Sequence, residues 1–182
     1  MERRKVIEAI SAARSEIVML YPFYGSILMN LRVALADCGT AATDMRRLIF
    51  DPQFVLRLSS EELQFVMMHE VMHNVLRHCI RGADKISEIY NVAADIVVNS
   101  DIMKSMGVTS FAVDGCEVMH KAPDGKEGYL YSAEDIYDML LVRGMSLPGG
   151  DESSMQPAAQ ANKENKNLSL IHISEPTRPE PI

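Results

Sequence analysis

Long apolar runs are missing from this sequence, cysteine is scarce and positive charge is outnumbered; each absence removes a class of protein. No stretch approaches the ~20 apolar residues that a bilayer-spanning helix needs. The basic start Met1–Lys5 leads into an amphipathic pattern rather than a signal-peptide core. Three cysteines (Cys38, Cys79, Cys116) are odd in number and scattered, which indicates neither a disulfide framework nor a cysteine-type zinc knuckle. With 18 Lys and Arg against 25 Asp and Glu, the formal charge is −7, which argues against nucleic-acid binding through a basic surface. A cytoplasmic protein without membrane or nucleic-acid partners is expected, and a secreted digestive protease is disfavoured. What remains is 182 residues, 47% hydrophobic and 24% charged: room for one soluble domain and the beginning of a second.

One stretch names a chemistry. Phe65–Leu76 is an apolar run containing His69-Glu70-Val71-Met72-His73, an H-E-x-x-H pattern. Two His four residues apart lie about 40° apart on one helix face, where both imidazoles can share a tetrahedral ion, most plausibly Zn²⁺. Glu70 can then act as general base toward a metal-activated water attacking a carbonyl. The competing reading is a buried helix that happens to carry these residues. Ser59-x-x-Glu62 just upstream is a capping box, and two His with a Glu are costly to bury without partners.

Around this helix the chain reads as α+β. Residues 3–20 have helical spacing in Val6, Ile10, Ala13, Ile17 and Leu20. Pro22 ends that helix in an aromatic turn, Tyr21–Gly25, whose rings either plug the core or wall a substrate cleft. Alternation in Ile27, Met29, Leu31, Val33 and Leu35 predicts a strand over Ser26–Ala36. Thr40–Asp44 and Leu48–Phe50 add segments of a small mixed or antiparallel sheet, whose edge strand could hold an extended peptide. The H-E-x-x-H helix is predicted to run to about Arg81, with Gly82 as its stop.

Two His leave a zinc site one protein ligand short. His78 is nearby, but on a continuous helix it sits about 140° round from His73 and about 180° from His69. It therefore reads as an outer partner of the ligands or as a residue of the opposite face. A second helix, Ile86 to about Met106 and closed by Gly107, is apolar nearly all round, with Asp95 in its middle. A buried carboxylate needs a strong partner, and an ion supplies one; an Arg or a backbone cap would be the alternative. Asn91 and Asn99, one turn either side, are placed to orient the carboxylate or the His ligands. Asp101 and Glu88 lie nearer the helix ends.

The remainder is less informative. Val108–Lys126 carries the turn signals Asp114-Gly115 and Asp124-Gly125 and a loop residue, His120, that nothing places near the metal. Ser132–Asp135 opens a last helix, ending near Gly144. The expected domain therefore covers residues 1–145. Residues 146–167, rich in Gly, Pro, Gln, Asn and Ser, read as a disordered linker. Residues 168–182 look like the in-frame translation of a sequencing adapter, so a longer natural protein is expected.

Taken together, Pro22–Gly25, Thr40–Asp44, Asp51-Pro52-Gln53-Phe54, His69–His73 with His78, and Asn91-Val92-Ala93-Ala94-Asp95 resemble a known family over about residues 5–142. It is the N-terminal metallopeptidase-like domain of bacterial von Willebrand A-like predicted metallopeptidases. The resemblance implies a zincin-like fold, with His69, His73 and Asp95 as zinc ligands and Glu70 as base. It also implies peptide or protein substrates, and an AAA+ ATPase partner engaged through a C-terminal von Willebrand A-like domain. The same resemblance leaves room for a non-catalytic, metal-stabilised interaction module. One departure is Met45, where the family tends to have Gly; a turn with positive φ there would be strained.

Overall fold

The computed structural model describes residues 2–145, so the predicted linker and adapter-like tail lie outside the described residues. Within them the architecture is α+β, with seven α-helices, a three-stranded sheet and a two-stranded ribbon.

Helix α1 (Glu2–Leu20) buries the predicted stripe Val6, Ile10, Ala13 and Ile17, although Leu20 is 62% exposed. The next segment corrects the sequence reading. Pro22–Leu28 is a second helix, α2, and only Arg32–Leu35 forms strand β1. Pro22 sits in the first turn, where its fixed φ favours a helix start. Tyr24, Leu28 and Leu31 are buried at helical spacing, the period that two-residue alternation obscured. Gly25 permits the close packing of α2 on α1, since a Cβ there would lie 2.7 Å from Val18 Cα. Of the aromatic group, Tyr24 joins the core while Phe23 is 55% exposed.

Strands β2 (Ala41–Thr43) and β3 (Arg47–Phe50) complete a mixed sheet in the order β1-β3-β2. The β1–β3 pair is parallel, Arg32 opposite Arg47, and β2–β3 is antiparallel, Ala42 opposite Ile49. In the turn between β2 and β3, Met45 has a φ of 67°, so it adopts the conformation in which glycine would be unstrained. The Asp44 carboxylate compensates by accepting from the backbone N–H of Arg46 (3.1 Å) and Arg47 (2.7 Å). Asp51 then caps the short helix α3 (Pro52–Arg57): its Oδ1 accepts from Gln53 and Phe54 N–H. Its Oδ2 accepts from Cys38 and Gly39 N–H, so a single buried carboxylate also pins the loop before β2.

Helix α4 (Ser60–Val75) starts with the predicted capping box, Ser59 N–H donating to Glu62 and Glu62 N–H to Ser59 Oγ. From Leu63 to Met72 every residue of α4 is buried. It does not continue to Arg81. Arg77 turns into the left-handed region (φ 54°, ψ 39°), and a separate turn of helix, α5, spans His78–Arg81. Gly82 follows it with ordinary φ; its role is space, because a Cβ would lie 2.4 Å from the Tyr90 ring.

Helix α6 (Ser87–Met106) ends at Gly107 in the left-handed conformation, as predicted. Asp114-Gly115 makes the tight turn of a ribbon, β4 (Ala112–Val113) with β5 (Cys116–Glu117). Both turn residues have positive φ, as a type I′ hairpin turn requires. A 3₁₀ turn (Gly128–Leu130) leads to α7 (Ala133–Met145), capped reciprocally by Ser132 and Asp135. Val98, Ile102 and Met103 of α6 join the main core with α1–α4 and the sheet. Tyr90, Ala93, Ala94, Ile96 and Val97 form a second apolar cluster with Ile136 and Tyr137 of α7. Among the described residues, no helix is long and apolar enough to cross a membrane.

Candidate metal centre

Helix α4 presents His69 and His73 toward α6, and the four-residue spacing brings His73 Nε2 to 2.8 Å from His69 Nε2. Asp95, in the middle of α6, faces both: its Oδ1 lies 3.2 Å from His73 Nε2 and 3.5 Å from His69 Nε2. That oxygen is buried without a hydrogen bond of good geometry, and the two imidazole nitrogens and the carboxylate oxygen crowd around one point. Metal–ligand bonds of about 2.0–2.1 Å at tetrahedral angles put ligand atoms ~3.4 Å apart. The observed separations bracket that value. His69, His73 and Asp95 are the group among the described residues with the composition and spacing to hold a metal ion.

The remaining nitrogen of His69, Nδ1, lies 2.9 Å from Asn99 Oδ1. Asn99 is itself held, its Nδ2 donating to Met119 O at 2.9 Å. An Nδ1–H donated to Asn99 leaves the Nε2 lone pair of His69 directed at the site. Asn91 Nδ2 donates to Ser87 Oγ one turn back along α6.

The continuous helix expected through His78 does not form, and His78 lies beside His73, one of the two placements its spacing left open. The left-handed turn at Arg77 carries α5 back over the end of α4, and His78 Nδ1 lies 3.0 Å from His73 Nδ1. A left-handed non-glycine residue costs roughly 1–2 kcal/mol, and Arg77, unlike Gly or Pro, gives no sequence signal of the break. The Arg81 side chain secures α5, with Nη1 donating to Leu76 O and the guanidinium paired with Glu134 of α7. His120 lies in the loop after β5, with Nδ1 3.0 Å from Glu127 Oε2. Asp101, one of the less favoured carboxylates, accepts from Tyr24 Oη at 3.4 Å and is not part of the cluster.

Glu70 is 1% exposed, and neither of its carboxylate oxygens has a hydrogen-bond partner. Burial pushes its carboxyl up to about 7, His69 opposing and Asp95 reinforcing the shift. Burial also opposes ionisation of Asp95, but the two imidazoles outweigh it and hold that carboxyl well below the usual range. For His69, burial works against a positive charge, while Asp95, Glu70 and Asn99 together hold the pKa up. Burial, with the charges of His73 and Arg81, takes His78 down to about 3. A dry acid with two orphan oxygens beside three convergent ligand atoms suits an ion with a coordinated water, and the residues present fit that group.

One residue of this region was missed from the sequence: Asn74, whose Nδ2 donates to Thr43 Oγ1 at 2.7 Å and ties α4 to the edge strand β2. A lone Asn after the second His gives no signal until the position of the sheet is known.

The α+β domain thus carries a two-His, one-Asp cluster that could hold a metal ion, with a buried Glu on the same helix as the two His. A family model described as "putative metallopeptidase domain" matches residues 6–175, and the chain belongs to that family. Comparison with curated proteins and with solved structures returned no match.

Proposed function

We propose that this is a zinc-dependent peptidase of zincin type, with His69, His73 and Asp95 as ligands and Glu70 as general base. The observation that carries the proposal is the convergence of three ligand atoms beside a buried carboxylate with no partner of its own. Zinc bound there would acidify a coordinated water and polarise the scissile carbonyl. Glu70 takes the proton of the attacking water on a carboxylate oxygen and returns it to the departing amine nitrogen as the C–N bond breaks. Asn99 holds the His69 ring through Nδ1, and the buried walls of α4 and α6 exclude bulk water.

A peptide is favoured over other amides by the edge of the sheet. Thr40, Ala42 and Asp44 turn their backbone groups to β3, so those of Ala41 and Thr43 face away; Ala41 is fully buried and Thr43 alone is part-exposed. No strand pairs with that edge among the described residues. Asn74 holds Thr43 to the metal-site helix, which supports an extended substrate lying along β2. From the family resemblance we further propose a cytoplasmic setting and an AAA+ ATPase partner.

Elemental analysis of the purified chain, with peptide-library cleavage by wild type and Glu70→Gln, tests this reading. About one zinc per chain in both, with cleavage only in wild type, is expected. Zinc without cleavage by either would favour a metal-stabilised interaction module. Iron or another metal in place of zinc would move the chemistry to a different class.

A further inference from the structure

His78 has no part in the scheme above, yet the chain adopts a strained conformation at Arg77 that places it against a ligand. Its ring is buried between those of His73 and Tyr90, with centroid separations of 5.0 and 6.1 Å. His73 turns Nε2 toward His69 and Asp95, and the opposite nitrogen of the same ring meets His78 Nδ1 at 3.0 Å. Two imidazole nitrogens at that distance share one proton. If Nε2 of His73 is given to an ion, the proton is on Nδ1, and His78 Nδ1 must accept it. The proton of His78 then lies on Nε2, a buried nitrogen without a hydrogen-bond partner. An apolar residue would fill the same space without leaving a polar atom unmatched, so packing alone does not account for histidine here.

We propose that His78 is a positioning residue: it accepts the Nδ1–H of His73, fixing the tautomer and ring orientation in which Nε2 serves as a metal ligand. The left-handed turn at Arg77 and the Arg81–Glu134 pair hold it in place. This rests on the metal-centre reading and adds a residue to it.

The test is zinc affinity of the full chain, by competition with a chromogenic chelator, in wild type, His78→Leu, His78→Asn and His78→Gln. Asn places an amide oxygen near the position of imidazole Nδ1, whereas Gln carries it one methylene further, near Nε2. Loss of an outer partner of a metal-bound His costs 10–100-fold in affinity. That loss is expected in His78→Leu and His78→Gln, with affinity restored to within a few-fold by His78→Asn. In the zinc-loaded protein, a slowly exchanging imidazole N–H resonance from His73 should be present in wild type and His78→Asn and absent from His78→Leu. Unchanged affinity in His78→Leu, or equal weakening in all three variants, would overturn the inference while leaving the metal centre intact. If His78→Leu does not fold, the Asn–Gln contrast decides alone. A wild-type chain that binds no zinc would instead overturn the metal-centre reading, and this inference with it.

Discussion

Asn74 Nδ2 donates to Thr43 Oγ1 at 2.7 Å, so the last turn of the metal-site helix is fastened to the outer strand of the sheet. Thr43 Oγ1 in turn donates to Arg47 O across the β2–β3 turn, and the three elements are linked in series. Asn74→Ala should cost about 1 kcal/mol, the scale of one net hydrogen bond. With peptide substrates it should raise KM more than it lowers kcat, because Glu70 and the ligands stay in place. Steady-state kinetics alongside a urea melt would separate the two effects; a change confined to kcat would argue against a substrate lying on β2.

The ligand set makes a stoichiometric claim. His73→Ala and Asp95→Ala should each reduce bound zinc from about one per chain to near zero, measured by elemental analysis after dialysis. Zinc retained in Asp95→Ala would transfer the third position to another side chain.

In metal-free protein the site should set a pH dependence of opposite sign to ordinary acid denaturation. Burial lifts the Glu70 pKa from its ordinary 4.5 to about 7, so the folded state holds a proton that the unfolded chain releases. Stability from this group is present below about 4.5 and declines as pH rises through about 7. His69, also raised on folding, adds stability at low pH that is lost as pH rises. His78, taken down to about 3, works in the opposite sense up to its ordinary 6.5. Melts in chelator should therefore show a falling Tm between about pH 6.5 and 8, with a shallower slope in Glu70→Gln. An equal slope in both proteins would show that the Glu70 carboxyl is not the titrating group.

Asp51 should behave in the reverse sense. Burial raises the carboxyl, but four backbone N–H donors more than compensate and hold it below its ordinary value. The stability it contributes is present above about 4 and lost as pH falls through its lower folded value. Asp51→Asn should destabilise by roughly 1–3 kcal/mol near neutrality, the scale of a lost cap and its charge-assisted bonds. The variant should also lose less than wild type between pH 4 and 2, as thermal melts would show.

Two left-handed residues offer a gain. Met45 and Arg77 have φ of 67° and 54° without the freedom of glycine. Met45→Gly and Arg77→Gly should each stabilise by a few tenths to about 1 kcal/mol, the relief of backbone strain less the added entropy of the unfolded chain. Denaturant titration would measure it. A loss in Arg77→Gly would mean that the arginine side chain outweighs its backbone cost.

The parts legible in the sequence were those whose cause is local. The Ser59–Glu62 capping box, the buried run through Glu70 and the Gly107 stop all act within a few residues, and α4 and α6 follow from them. Asp95 was legible because an ionisable group inside an apolar helix demands a partner. The failures are of another kind. Helix α2 was hidden because Ile27, Met29 and Leu31 alternate over a window too short to separate the two periods. The break at Arg77 was hidden because no residue type announces it: tertiary contacts, among them Arg81 to Glu134, hold a conformation that the local sequence disfavours. The β4–β5 ribbon shows in the sequence only as its turn, since strands of two residues carry no period.

Helix α6 joins two apolar clusters, and Asp95 and Asn99 lie near where one gives way to the other. A 20-residue helix is a rod about 30 Å long, and a tilt at one end is felt along its length. Small changes in how Tyr90 and Ala93 seat against Ile136 would therefore reset the distance between the Asp95 carboxylate and the imidazoles of α4. The grip on an ion is thus adjustable from residues that never approach it, and affinity could drift in descendants whose ligands are all unchanged.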